Sequence, residues 1–238
     1  MALLQTRLEI APGVALWPGA LDGVTQSALI AEVFARVAQA PFYRPTMPGS
    51  GKAFSVESSN FGALGWFSDK DGYRYTPNHP VTGKPWPAIP PLLLALWEEA
   101  VGPHAPPECC LVNLYREGAR MGLHQDRDEE AMGVPVLSVS LGDEALFRIG
   151  GIARKGPTRS LKLKSGDVLL FGGPARLAFH GVDRVLSGSS RVVPGGGRVN
   201  LTLRRVALPE VSGPNKRTPD QGADRASQAP LRADVGRG

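Results

Sequence analysis

Only two cysteines occur among the 238 residues, and they are neighbours, Cys109-Cys110. Adjacent cysteines rarely close a disulfide and offer no zinc-ligand spacing, so a disulfide framework and a zinc finger are excluded and a reducing cytoplasm is the expected setting. The chain has no uninterrupted apolar run of the roughly 18 residues that a membrane-crossing helix needs, and no charged-then-apolar leader. The expectation is therefore neither a transmembrane helix nor a signal peptide, and no membrane partner. A phosphate-binding loop is also missing: Met47-Pro48-Gly49-Ser50-Gly51-Lys52-Ala53 lacks the first glycine and the hydroxyl residue after the lysine. Neither sign of charge dominates, with 27 basic against 22 acidic residues and a net +5. That mild excess suits a polyanionic partner without demanding one.

What is present is enough for a folded domain, since 42% of the residues are hydrophobic. Residues 1 to 23 read as an extended lead-in. Asp22 or Thr25 can then cap a helix running to about Gln39, with Leu29, Ile30, Val33, Phe34 and Val37 on one face. From Phe42 to Pro91 proline, glycine, serine and aromatics favour short strands and ordered loops, too aromatic for a linker. A second helix is predicted from Pro91 to Ala100, closing at Gly102. Short strands follow at Cys110 to Tyr115, Val136 to Leu141, Ala145 to Ile149, Leu161 to Lys164, Asp167 to Phe171, Leu177 to Val182 and Arg198 to Val206, divided by turns such as Ser165-Gly166-Asp167. Strands at this spacing argue for a sandwich or jelly roll. The stretch from Pro209 to Gly238 is poor in large apolar residues and is expected to be a disordered tail.

Histidine is scarce, with only His79, His104, His124 and His180. His124 and Asp126 stand two apart, and on a β-strand such residues face one side. An H-x-D triplet alone occurs by chance in many proteins. Here His180, 54 residues beyond Asp126 in Ala178-Phe179-His180-Gly181-Val182, can complete the two-histidine, one-carboxylate set that holds non-haem Fe(II) and leaves coordination positions open. Downstream, Arg198, Asn200, Thr202 and Arg204 alternate with apolar residues and turn two guanidiniums toward one face. Buried charge is costly unless paired, so that face should meet an anion.

Taken in order, Asn113-Leu114-Tyr115, His124-Gln125-Asp126-x-Asp128-Glu129, Ser138-Val139-Ser140-Leu141-Gly142, Gly166-Asp167-Val168, Phe179-His180-Gly181 and Arg198-Val199-Asn200-Leu201-Thr202-Leu203-Arg204 resemble the AlkB family of 2-oxoglutarate and Fe(II)-dependent dioxygenases. The likeness extends upstream through Leu64-Gly65-Trp66, Gly72-Tyr73-Arg74-Tyr75 and Lys84-Pro85-Trp86-Pro87, covering roughly residues 12 to 206.

The resemblance implies an α+β fold with a double-stranded β-helix (jelly roll) core, flanking helices and an amino-terminal substrate-covering extension. Residues 1–208 would form one catalytic domain, with about 42–91 covering the substrate, 108–206 forming the jelly-roll core, and 209–238 the tail. It further implies that His124, Asp126 and His180 hold Fe(II), and that Arg198 and Arg204, helped by Asn113, Tyr115 and Asn200, bind the carboxylates of 2-oxoglutarate, with O2 as second co-substrate. On the substrate side Trp66 would stack on a flipped base, Asp128 would favour a cationic methylated base, Tyr73 would touch the nucleic-acid backbone and Arg154 a phosphate. The implied activity is oxidative demethylation of bases of the 1-methyladenine and 3-methylcytosine type in single-stranded DNA by a monomer, with formaldehyde and succinate released; RNA stays open as a substrate. Two rivals stay open beside it: a hydroxylase of a protein or small molecule, and a non-catalytic single-strand-binding module. Succinate release that requires a methylated oligonucleotide separates the three. One departure concerns substrate range: where family members often carry methionines over the bound base, this chain has Phe54-Ser55-Val56-Glu57-Ser58-Ser59-Asn60.

Overall fold

The computed structural model describes residues 3–102 and 106–208, so the expected tail, Pro209 to Gly238, lies outside the described residues. In chain order the elements are β1 (Leu8–Ala11), β2 (Val14–Trp17), α1 (Gly23–Val37), β3 (Glu57–Gly62), β4 (Gly65–Asp69), β5 (Gly72–Thr76), α2 (Pro91–Val101), β6 (Cys109–Tyr115), β7 (Met121–His124), β8 (Val136–Gly142), β9 (Glu144–Ile149), β10 (Arg159–Leu163), β11 (Val168–Phe171), β12 (His180–Leu186) and β13 (Arg198–Arg204). All pairings are antiparallel. A seven-stranded sheet, ordered β1-β2-β11-β8-β13-β6-β3, faces a four-stranded sheet, ordered β10-β9-β12-β7, and β4 and β5 form a hairpin of their own.

Side-chain alternation decides which face of the large sheet becomes core. Val199, Leu201 and Leu203 of β13, Leu137, Val139 and Leu141 of β8, and Cys110, Val112 and Leu114 of β6 join one apolar cluster with Leu29, Ile30 and Val33 of α1 and Leu93, Leu96 and Trp97 of α2. α1 starts where the Asp22 carboxylate accepts the Thr25 N–H at 2.8 Å, the capping expected from its sequence. The opposite faces of the same strands look into the sandwich. At one end that interior is apolar, with Val14, Leu16, Phe147, Leu163, Leu169 and Phe171. At the other it is more polar, because the in-facing alternates of β6, β8 and β13 include Asn113, Ser138, Ser140, Asn200 and Thr202. Asn200 lies directly across from Asn113 and Ser140, and Thr202 from Ser138.

The structure departs from the expected layout in four places. The lead-in is a hairpin whose second strand, β2, pairs with β11; Gly13 at its turn has φ +80, and an added Cβ would sit 2.2 Å from the Gly172 carbonyl oxygen. β3, inside the stretch read as substrate cover, is instead the edge of the large sheet beside β6, so β1, β2 and β3 join the sheet from outside 108–206. The strand expected at Leu177 begins at His180, after a 3-10 turn at Gly173–Ala175, and runs to Leu186. β7 ends at His124, which places Asp126 in the loop beyond it rather than on a strand face.

Candidate active site

His124 closes β7 and His180 opens β12, and the two are direct cross-strand partners. Their rings lie 4.5 Å apart, centre to centre. Gly181 allows this approach, since a Cβ there would stand 2.5 Å from the Met121 carbonyl oxygen. The chain then bends and carries the buried Asp126 carboxylate between the rings, Oδ1 at 3.8 Å from His124 Nε2 and Oδ2 at 3.8 Å from His180 Nε2. One ligand atom from each of the three residues falls within 4.8 Å of the others.

Hydrogen bonding orients both rings. His124 Nδ1 donates to the Gly122 carbonyl and His180 Nδ1 to the Ala178 carbonyl, both at 2.9 Å, which leaves each Nε2 lone pair directed at the Asp126 side. Burial pushes the His180 imidazole down to about 4, helped by the neighbouring His124, so it is neutral and able to ligate near pH 7. Burial acts to raise the Asp126 carboxyl, but Arg204, His180 and His124 together outweigh it and hold the group ionised well below the usual carboxylate range. A neutral His180, an anionic Asp126 and a second imidazole from His124, converging on one point, are the ligand types that a divalent iron requires.

Behind this trio lies a buried charge network. Arg204 Nη2 donates to Asp126 Oδ1 at 2.9 Å, and its Nε stands 3.5 Å from Glu129 Oε1. Arg176 is the second cation: Nη2 donates to Glu129 Oε2 at 3.0 Å, Nη1 to the Asp126 carbonyl at 2.6 Å and Nε to the Val134 carbonyl at 2.9 Å. The Tyr75 hydroxyl donates to Glu129 Oε1 through a short hydrogen bond. Two anions and two cations thus share one water-poor region, which meets the requirement that buried charges be paired.

Arg198 is different. It is 1% exposed and donates from Nη2 to the Ser140 hydroxyl at 2.8 Å, while its Nε and Nη1 have no protein acceptor. Burial pulls its guanidinium down to about 10 despite the opposing influence of Tyr115 and Asp167. Two buried donors without partners, beside a polar wall, fit an anionic ligand with carboxylate oxygens. Arg198 does not itself line the cleft of about 420 Å³ that reaches down to His124, Asp126 and His180; Asn113, Tyr115, Asn200 and Arg204 do. The Asn200 amide donates to Ser138 Oγ at 2.7 Å and its oxygen accepts from Thr202 at 3.0 Å, while Asn113 Oδ1 accepts from Ser58 at 2.8 Å.

The mouth of the cleft is aromatic. Trp66, on β4, is half-buried and held by its backbone: the Asn60 side chain accepts its N–H and donates to its carbonyl, both at 3.0 Å. Its ring stacks on Tyr73 at 5.6 Å and meets Phe54 edge-on at 6.4 Å, and its indole N–H donates to Asp128 at 3.0 Å. Tyr73 is 50% exposed. Arg154 is exposed on the β9–β10 loop with its guanidinium 5.9 Å from the Phe179 ring centre, and lines the same cleft. All twelve residues singled out from sequence except Arg198 therefore border one cavity.

One expectation is corrected. Ser59 and Asn60 do not cover the cleft, because alternation in β3 buries them in the large sheet; the covering residues are Pro45, Met47, Phe54 and Val56, so a methionine does stand over the opening. Arg176 was missed, since a lone arginine in Pro174-Ala175-Arg176 carries no periodicity or spacing. Glu129 and Tyr75 lie inside quoted motifs, but only the fold shows what they touch.

Comparison with known proteins places this geometry. A family model for the 2OG-Fe(II) oxygenase superfamily matches residues 13–204. The alpha-ketoglutarate-dependent dioxygenase AlkB homolog of Caulobacter vibrioides is 59% identical over 207 residues, covering 86% of this chain and 93% of that protein. The alpha-ketoglutarate-dependent dioxygenase AlkB of Escherichia coli K12 is 39% identical over 186 residues, covering 76% and 85%. Among solved structures, that of OsALKBH1 superposes with a TM-score of 0.72 at 30% identity, covering 83% of this chain and all of that one.

Proposed function

Since the chain belongs to the AlkB family within the 2OG-Fe(II) oxygenase superfamily, and is thus a dioxygenase using Fe(II), 2-oxoglutarate and O2, we propose that it demethylates nucleobases of the 1-methyladenine and 3-methylcytosine type in single-stranded DNA. The observation that carries this reading is the conjunction in one cleft of the His124–Asp126–His180 trio below and the Trp66–Tyr73 stack with Asp128 above.

His124, Asp126 and His180 would hold the iron, which with 2-oxoglutarate and O2 would supply oxidation of the N-methyl carbon, the co-substrate leaving as succinate and CO2 and the methyl as formaldehyde. Arg198, with Asn113, Tyr115 and Asn200 beside it, would take one carboxylate of the co-substrate, and Arg204 the end near the metal while it also orients Asp126. Methylation at these ring nitrogens leaves the base cationic. A planar cation over the Trp66 indole gains roughly 1–3 kcal/mol. The Asp128 carboxylate, fixed by the Trp66 N–H, adds an attraction that a neutral base lacks. Tyr73 and Arg154 are exposed at the rim, where a hydroxyl and a guanidinium can meet the sugar-phosphate backbone.

A base must leave its stack to enter, at a cost of a few kcal/mol in duplex, so single strands are favoured. The two free, buried cysteines fit a reducing cytoplasm. Among the described residues no helix is long and apolar enough to cross a membrane.

The test is an oligonucleotide carrying one 1-methyladenine or 3-methylcytosine, as single-stranded DNA, duplex DNA and RNA. Formaldehyde release with restoration of the unmodified base, fastest on a single strand, is expected. If methylated nucleic acids give no formaldehyde while another substrate class does, the repair reading falls.

A further inference from the structure

Tyr75 is not among the residues that line the cleft. It is nevertheless the direct cross-strand partner of Trp66 in the β4–β5 hairpin. Its hydroxyl donates to Glu129 Oε1 and accepts from Arg204 Nη1 at 3.3 Å. The same Glu129 oxygen stands 3.5 Å from Arg204 Nε, yet that Nε makes no hydrogen bond. The tyrosine hydroxyl holds Glu129 Oε1 in a place where Arg204 Nε does not close on it, and one buried donor stays open beside the metal ligand Asp126.

The hairpin that carries Tyr75 belongs to neither main sheet. A two-stranded hairpin is marginal alone, and this one is anchored by Tyr43 and Asn60 on the Trp66 backbone, Ser68 exchanging hydrogen bonds with Thr46, Trp86 on the Thr76 carbonyl, Trp66 on Asp128 and Tyr75 on Glu129. Whatever seats against Trp66 therefore steadies the strand pair that positions the Tyr75 hydroxyl.

We infer that Tyr75 is a positioning residue that couples nucleobase binding on the hairpin to co-substrate binding at Arg204. This rests on the proposed roles of Trp66 and Arg204. Seating of a base steadies the Tyr75–Glu129 hydrogen bond, which holds Arg204 open for the co-substrate. By linkage a bound co-substrate strengthens base binding by the same factor. Such coupling restrains oxidation when no base is present.

The experiment measures 2-oxoglutarate affinity for the anaerobic Fe(II)-loaded full chain with and without a 3-methylcytosine oligonucleotide, and succinate and formaldehyde yields in air. In the unmodified protein the oligonucleotide should tighten 2-oxoglutarate at least about fivefold, with the two products formed in equal amounts. Tyr75→Phe keeps the ring and removes only the hydroxyl; its tightening should fall below about twofold, and succinate should exceed formaldehyde. Glu129→Gln, which weakens the acceptor, should shift both readouts the same way. Ser59→Ala removes a buried hydrogen bond to the Ala40 carbonyl, outside the hairpin, and should keep the tightening, a result that general destabilisation as the cause in Tyr75→Phe does not predict. Retained tightening in Tyr75→Phe, an equal loss in Ser59→Ala, or formaldehyde release by the unmodified protein with no tightening overturns the inference. Absence of formaldehyde from every methylated oligonucleotide would instead count against the functional reading beneath it.

Discussion

Replacing Arg198 by methionine should weaken co-substrate binding and stabilise the empty protein at the same time. The arginine is 1% exposed, its one hydrogen bond goes to the neutral Ser140 hydroxyl, and its Nε and Nη1 have no acceptor. Unsatisfied buried donors are each unfavourable by about 1–3 kcal/mol. Methionine fills much of the same volume without any donor, so the apo protein should gain at least about 1 kcal/mol, or about 2–4 °C in melting temperature for a chain of this size. In the loaded enzyme the same two donors would each make a charge-assisted hydrogen bond worth about 1.5–3 kcal/mol. Losing both should weaken 2-oxoglutarate by at least about a hundredfold, at about 1.4 kcal/mol per factor of ten. Thermal melts with and without 2-oxoglutarate read both effects, because a ligand that binds only the folded state raises the melting point. The Arg198→Met protein should melt higher when empty and gain little from the ligand. If 2-oxoglutarate stabilises this variant as much as the unmodified protein, the co-substrate lies elsewhere.

Alanine at His124, Asp126 or His180 should each abolish formaldehyde release with the circular dichroism spectrum retained; full activity in any one removes that residue from the metal site. Gly181→Ala places a Cβ 2.5 Å from the Met121 carbonyl oxygen, which must push β12 from β7 and part the two histidines, so Fe(II) affinity should drop at least about tenfold in a titration, the cost of backbone strain of order 1–3 kcal/mol. Asp128→Ala should narrow the ratio of kcat/KM for 3-methylcytosine over a neutral methylated base by about tenfold, the loss of one charged contact, and an unchanged ratio would leave Asp128 without a part in selection. In metal-free protein the folded-state His180 value of about 4 lies below the ordinary 6.5. The unfolded chain therefore takes up the proton first, and stability should fall as pH drops from about 6.5 toward 4, by up to about 1.4 kcal/mol per unit. Urea midpoints across that range check the slope, and a flat profile would contradict the burial of a neutral imidazole.

Much of the site was legible because alternation and spacing are local properties. The polar series Arg198, Asn200, Thr202 and Arg204 on an otherwise apolar strand marks a face turned toward a ligand, and the structure puts that face inside the sandwich while Val199, Leu201 and Leu203 meet the helices. The α1 cap at Asp22 and the helix stop at Gly102 were readable for the same reason, since each depends on residues within one turn.

What only the tertiary structure decided depends on contacts between residues far apart in the chain. β2 pairs with β11, and β3 borders β6, yet four- and six-residue segments carry no record of partners so distant. Asp126 serves the site from a loop because β7 ends at His124; a continued strand would have kept it on the face of His124 but roughly 7 Å further along, not between the two rings. Sequence could name Arg198 and Arg204 as a pair of anion-binding arginines but could not tell them apart. Folding brings Arg204 against Asp126, Glu129 and Tyr75 and leaves two Arg198 donors without partners, because hydrogen bonding inside a core is settled by which groups three-dimensional packing brings within about 3 Å.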